Sequence, residues 1–145
     1  MKSNPLKLKF LPKTGLILAF YVLLAATMYL LLSKSKPEYR LPVASFNGPE
    51  LYSHVSNFII TYNIIAALSL IWLLQGVGMK AVVWLCLVFV VLNLIAETVL
   101  TVMNTPDLAD AVFGIAGAVL AFGFALAGKK YGLKDYVQQA PDQQP

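Results

Sequence analysis

Four apolar runs, each about twenty residues long, constrain this chain more than any other feature. They cover roughly Thr14–Ser33, Val55–Gln75, Ala81–Met103 and Ala109–Gly128. Each matches the ~20 residues that cross a hydrocarbon core of ~30 Å. Lipid offers a backbone no hydrogen-bond partner, so every such run is expected to be an α-helix. The implied fold class is all-α, a polytopic membrane protein with four transmembrane helices forming one domain over residues 1–128. Composition agrees, because a chain that is 59% hydrophobic and 12% charged cannot cover a water-soluble domain with charge. The polar remainder, 129–145, ends in "DYVQQAPDQQP" and has the composition of a disordered tail. The first run follows the basic stretch "MKSNPLKLKFLPK". It is longer than a signal-peptide core, and "LLSKSKP" offers no small-residue cleavage site, so a retained helix is expected.

The basic residues set the expected orientation. Lys2, Lys7, Lys9 and Lys13 precede the first run, Lys80 lies between the second and third, and Lys129, Lys130 and Lys134 follow the fourth. Lys34, Lys36 and Arg40 fall on the other side. The positive-inside rule therefore predicts N-in/C-in, with eight basic residues inside and three outside. Trp72 and Trp84 then fall at the inner interface, where aromatic belts sit. The net charge of +4 reads as a topology and headgroup signal, and no motif supports a nucleic-acid partner. Cys86 is the single cysteine, which excludes an intrachain disulfide.

A carboxylate interrupts the third run in "LNLIAETVL", residues 92–100. Glu97 is expected about 9 Å below the outer helix end at 1.5 Å per residue. A charge at that depth costs up to ~3 kcal/mol, so it should face protein or water and have a partner. Asn93, Glu97, Thr101 and Asn104 share one helix face, and so do His54, Asn57 and Thr61 on the second helix. Asp107 and Asp110 open the fourth helix at the same level, while the inner halves are almost wholly aliphatic. His54, Asn57, Asn93 and Thr101 are the candidate partners of Glu97. Two roles suit this convergence: an outward-facing polar pocket lined by Glu97, His54, Asp110, Asn93 and Asn57, or a hydrogen-bonded staple between helices.

The fourth helix carries further signals. Thr105-Pro106-Asp107 has the form of a helix start, which makes Asp107 a capping residue. Ala111, Gly114, Ala118, Ala121, Ala125 and Gly128 repeat at spacings of three and four. Such a face lets a neighbouring helix approach closely, and Gly117 adjoins it.

Several chemistries are disfavoured. One histidine cannot supply a bis-histidine haem site. A catalytic zinc would need His54 with Glu50, Asp107 and Asp110, an acid-rich set that suits zinc poorly. There is no phosphate-binding glycine loop and no nucleophile elbow. No cofactor and no resident metal are expected, and no catalytic residue is assignable. His54 and Glu97 are a possible base and acid without an evident nucleophile.

One set of spacings stands out. Glu50 precedes His54 by four residues at a helix start, Glu97 lies late in the next helix, and Asp110 precedes Gly117 by seven residues in "DAVFGIAGAVLA". Over about residues 50–121 this arrangement resembles the VanZ-like family of small bacterial membrane proteins, named after a protein associated with teicoplanin resistance. The chain departs from that pattern at Leu51, where lysine is frequent, and at Leu100, where glutamine stands. It also lacks an arginine in the turn "MNTPDLAD" and has Gly114 where asparagine is favoured. The resemblance implies a multi-pass protein of the bacterial inner (cytoplasmic) membrane, a cell-envelope context and a link to glycopeptide tolerance. It implies no particular reaction.

Three functions are compatible with these residues. The first is a pocket engaging an envelope component, such as a lipid or glycan headgroup. The second is a non-catalytic subunit or assembly factor in a membrane complex. The third is a proton- or cation-coupled transporter, which with so few helices would need a homo-oligomer. The lipid bilayer is a partner in all three.

Overall fold

The computed structural model describes residues 8–40, 49–98 and 107–136, those at 49–51 by their backbone. Expectations for the Glu50 side chain, Thr101, Asn104, Thr105-Pro106 and the tail from residue 137 onward lie outside the described residues. Among the described residues, four helices are long and apolar enough to cross a membrane. The chain is thus an all-α polytopic membrane protein. The order is strand β1 (Phe10–Pro12), α1 (Thr14–Ser35), a 3₁₀ turn (Pro37–Tyr39), α2 (Pro49–Leu74), α3 (Met79–Thr98), α4 (Leu108–Ala127), a π turn (Gly128–Gly132) and strand β2 (Leu133–Asp135).

Helix α2 begins at Pro49, well before the expected Val55. Hydropathy marks only the lipid-embedded part of a helix, whereas the backbone continues into the interface, with proline at its favoured first position. The α2–α3 turn closes α2 with a paired cap: Gly76 N–H donates to Leu73 O at 3.0 Å and Val77 N–H to Trp72 O at 2.8 Å. Gly76 has φ +81°, a left-handed conformation that glycine adopts without a Cβ penalty.

The centre of the bundle is the α2–α4 pair. In their membrane spans 39% of residues are buried, against 11% for α1 and 6% for α3, so α1 and α3 are the more lipid-exposed helices. Ala111, Gly114, Gly117, Ala118, Ala121 and Ala125 are the buried residues of α4. A Cβ at Gly117 would meet Phe58 O at 2.5 Å and Tyr62 N at 3.2 Å, so the two backbones touch there. Small residues permit this approach, which suits helix association in lipid, where the hydrophobic effect gives little drive. Trp84, Leu87, Val88 and Val91 of α3 are exposed, as lipid-facing side chains are in a membrane bundle.

The expected disordered tail begins too early at residue 129. β2 pairs antiparallel with β1, with Phe10 opposite Asp135, Leu11 opposite Lys134 and Pro12 opposite Leu133. Lys13 N–H to Gly132 O at 2.7 Å and Tyr136 N–H to Lys9 O at 3.0 Å extend the ribbon. Backbone pairing with β1 satisfies groups that a free tail would leave to water. The ribbon also brings the segments flanking α1 and α4 to one end of the bundle, as four crossings require.

Candidate functional site

At the opposite end, three positions of α2 at helical spacing, His54, Asn57 and Thr61, each meet a polar residue of another helix. His54 Nδ1 lies 2.9 Å from Asp110 Oδ1 and 3.6 Å from Asp107 Oδ2. One turn deeper, Asn57 Nδ2 donates to Glu97 Oε1 at 3.1 Å. Deeper again, Asn93 Nδ2 donates to Thr61 Oγ1 at 3.1 Å and to Phe89 O at 2.8 Å. The result is a ladder of three rungs, the outermost between α2 and α4 and the inner two between α2 and α3.

The ladder is graded in exposure. Side-chain exposure is 45% for Asp107, 20% for Asp110 and 17% for His54, whereas Glu97 retains only 6%. Glu97 Oε2 is buried without a hydrogen-bond partner among the described residues. A buried polar atom left unpaired costs free energy, so this oxygen is the uncompensated point of the inner ladder. The outer rung is partly accessible, whereas Glu97 and Thr61 of the inner two are buried and Asn57 and Asn93 half-buried.

Asp107 has two roles. It is the N-cap of α4, accepting from Ala109 N–H at 2.9 Å through Oδ1, while Oδ2 faces His54. With a carboxylate accepting at Nδ1, that nitrogen carries the donor proton. Nε2 has no hydrogen-bond partner among the described residues. His54, Asp107 and Asp110 offer three ligand atoms within 4.8 Å of one another, the only donor set among the described residues compact enough for a cation. Its 2.9 Å separation is that of a hydrogen bond, so the cluster is satisfied as it stands.

The structure brings His54, Asn57, Asn93, Glu97 and Asp110 to one end of the bundle but changes two pairings. Of the candidate partners for Glu97, Asn57 holds it. His54 turns to α4 and Asn93 to Thr61. The amide of Asn93 lies against the Cα of Gly114, so Gly114 makes room for a polar side chain as well as for a helix.

One contact escaped the sequence reading. Lys34 Nζ donates to Ser53 O at 2.8 Å and Ser56 Oγ at 2.6 Å, tying α1 to the segment that carries His54. Lys34 had counted only as an orientation signal. Only the Ser56 hydroxyl was a sequence sign of this contact, because Ser53 accepts through its backbone carbonyl. Thr27 and Asn63 likewise bond across α1 and α2, at 3.1 Å from Asn63 Nδ2 to Thr27 Oγ1.

Comparison with protein-family models, characterised proteins and solved structures found no match to this chain.

Proposed function

We propose that the ladder is an outward-facing site on a bacterial inner-membrane protein oriented N-in/C-in, engaging a lipid or glycan headgroup of the cell envelope. The observation that carries this reading is the outer rung: a histidine held by two carboxylates at the partly exposed mouth of a buried polar ladder. The partly exposed carboxylates of Asp107 and Asp110 make the mouth of the site rich in acceptors. A matching headgroup therefore presents hydroxyl or ammonium groups, as sugars and amine-bearing lipids do. Such a ligand would bond at the outer rung, above the buried Glu97 carboxylate. The resemblance to the VanZ-like family supports the envelope context and a contribution to glycopeptide tolerance.

The test is complementation under glycopeptide challenge, using His54→Gln, Glu97→Gln and the double variant. Protein levels must match those of the unaltered chain. Loss of the phenotype in the double variant is expected. Full complementation at equal protein level would overturn the proposal.

The burial of Glu97 and Thr61 favours a second reading, a non-catalytic subunit whose polar residues only fix helix packing. On that reading Glu97→Gln is neutral, while a bulky residue at Gly114 or Ala118 lowers accumulation.

A further inference from the structure

The end of the bundle opposite the ladder holds a recess of about 320 Å³ between the α2–α3 turn and the β1–β2 ribbon. Lys9, Lys129 and Lys134 line it, together with Gly76, Leu133 and Asp135. The three lysines come from separate places in the chain: just before β1, within the π turn, and within β2. Lys9 is anchored through its backbone, donating to Leu74 O at 2.8 Å and accepting from Tyr136 N–H at 3.0 Å. Its stem lies across Gly76, where an added Cβ would meet Lys9 Cδ at 2.6 Å. Among the described residues, none of the three ammoniums forms an ion pair, although Asp135 lines the same recess.

Three converging like charges against the single carboxylate of Asp135 are unfavourable. The ordinary reason for a cation here, the negative end of a helix, serves Lys129 in the turn that continues α4, but it is weak for Lys9 and Lys134 beside the end of α2. Its terminal carbonyls already accept from backbone groups: Leu74 O from Lys9, Leu73 O from Gly76 and Trp72 O from Val77. The dipole's influence is also confined to the last turn. The recess is therefore net positive and in want of an anion.

We propose that this recess binds the phosphate of an anionic lipid headgroup. Its depth favours a lipid over free phosphate, because it lies where the α2 span ends at Leu74 and the α3 span begins at Met79. That is headgroup level, and basic recesses at the ends of transmembrane helices are suited to anionic headgroups. The site is independent of the polar ladder, which lies at the other end of the molecule and favours donors instead of anions.

The experiment uses the full chain in phosphatidylcholine nanodiscs, titrated with phosphatidylglycerol and read by retained lipid in native mass spectrometry. Single Lys→Gln changes at 9, 129 and 134 should each weaken phosphatidylglycerol retention about fivefold, and the triple variant on the order of a hundredfold. The triple Lys→Arg variant should retain binding, which separates charge from folding. Lys36→Gln, at the opposite end, should leave it unchanged. Equal retention of phosphatidylglycerol and phosphatidylcholine, or full binding by the single and triple glutamine variants, overturns the proposal. Occupancy by inorganic phosphate with no preference for phosphatidylglycerol would overturn the lipid assignment.

Discussion

At the scale of single residues, Glu97 and Asn57 are the pair on which the candidate site turns. Asn57 Nδ2 donates to one carboxylate oxygen at 3.1 Å, and the other has no partner among the described residues. Interhelical hydrogen bonds in membrane proteins average about 0.6 kcal/mol in double-mutant cycles and reach about 1.7. A cycle of Asn57→Ala and Glu97→Ala, followed by denaturant unfolding in detergent, should give a coupling in that range. A coupling near zero would mean the contact is incidental to the fold. Glu97→Gln separates the two readings of the site, since a pure staple keeps both stability and phenotype. The sequence placed these groups at one depth because helical spacing and rise are enough for that. It did not pair them, because pairing depends on the rotation and offset of α2 against α3 and α4. Depth alone therefore left His54, Asn57, Asn93 and Thr101 as candidates for Glu97, and the packing selects Asn57 among the described residues.

Among the elements, α4 carries a built-in comparison between two glycines. A Cβ at Gly117 would meet the α2 backbone at Phe58 O, 2.5 Å away, whereas one at Gly123 would meet nothing within 4 Å. Backbone cannot yield as a side-chain tip can, so Gly117→Ala must part α2 from α4, at about 1–3 kcal/mol. Gly123→Ala should be neutral or stabilising by up to about 1 kcal/mol, because alanine favours the helix over glycine. Unfolding midpoints and membrane accumulation of the two variants should diverge accordingly, and equal behaviour would discount backbone contact at Gly117. This part of the fold was legible in the small residues of α4, whose repeat marks a close-packed face without naming its partner. The β1–β2 ribbon was not legible. Strands of three residues show no periodicity, and their pairing joins segments at opposite ends of the chain.

For the whole molecule, the two ends of one bundle differ in chemistry. The end with the β1–β2 ribbon exposes Lys129 and Lys130, and the other gathers two aspartates and a histidine whose donor atoms lie within 4.8 Å of one another. On the two proposals, the charge asymmetry read by the positive-inside rule would also divide the binding chemistry, with phosphate at one surface and hydroxyl or amine donors at the other. The envelope proposal therefore depends on which way the bundle faces, and a single labelling series decides it. Glu38 in the 3₁₀ turn and Lys130 in the π turn are exposed at opposite ends. In a Cys86→Ala background, Glu38→Cys should react with a membrane-impermeant maleimide applied to intact cells with a permeable outer surface. Lys130→Cys should react only after the inner membrane is opened. The reverse pattern would place the acceptor-rich ladder in the cytoplasm, where no envelope glycan reaches it, and would remove the envelope ligand while leaving the anion recess intact. Reaction of both positions from outside would contradict four full crossings, because the ribbon and the 3₁₀ turn lie at opposite ends of α1.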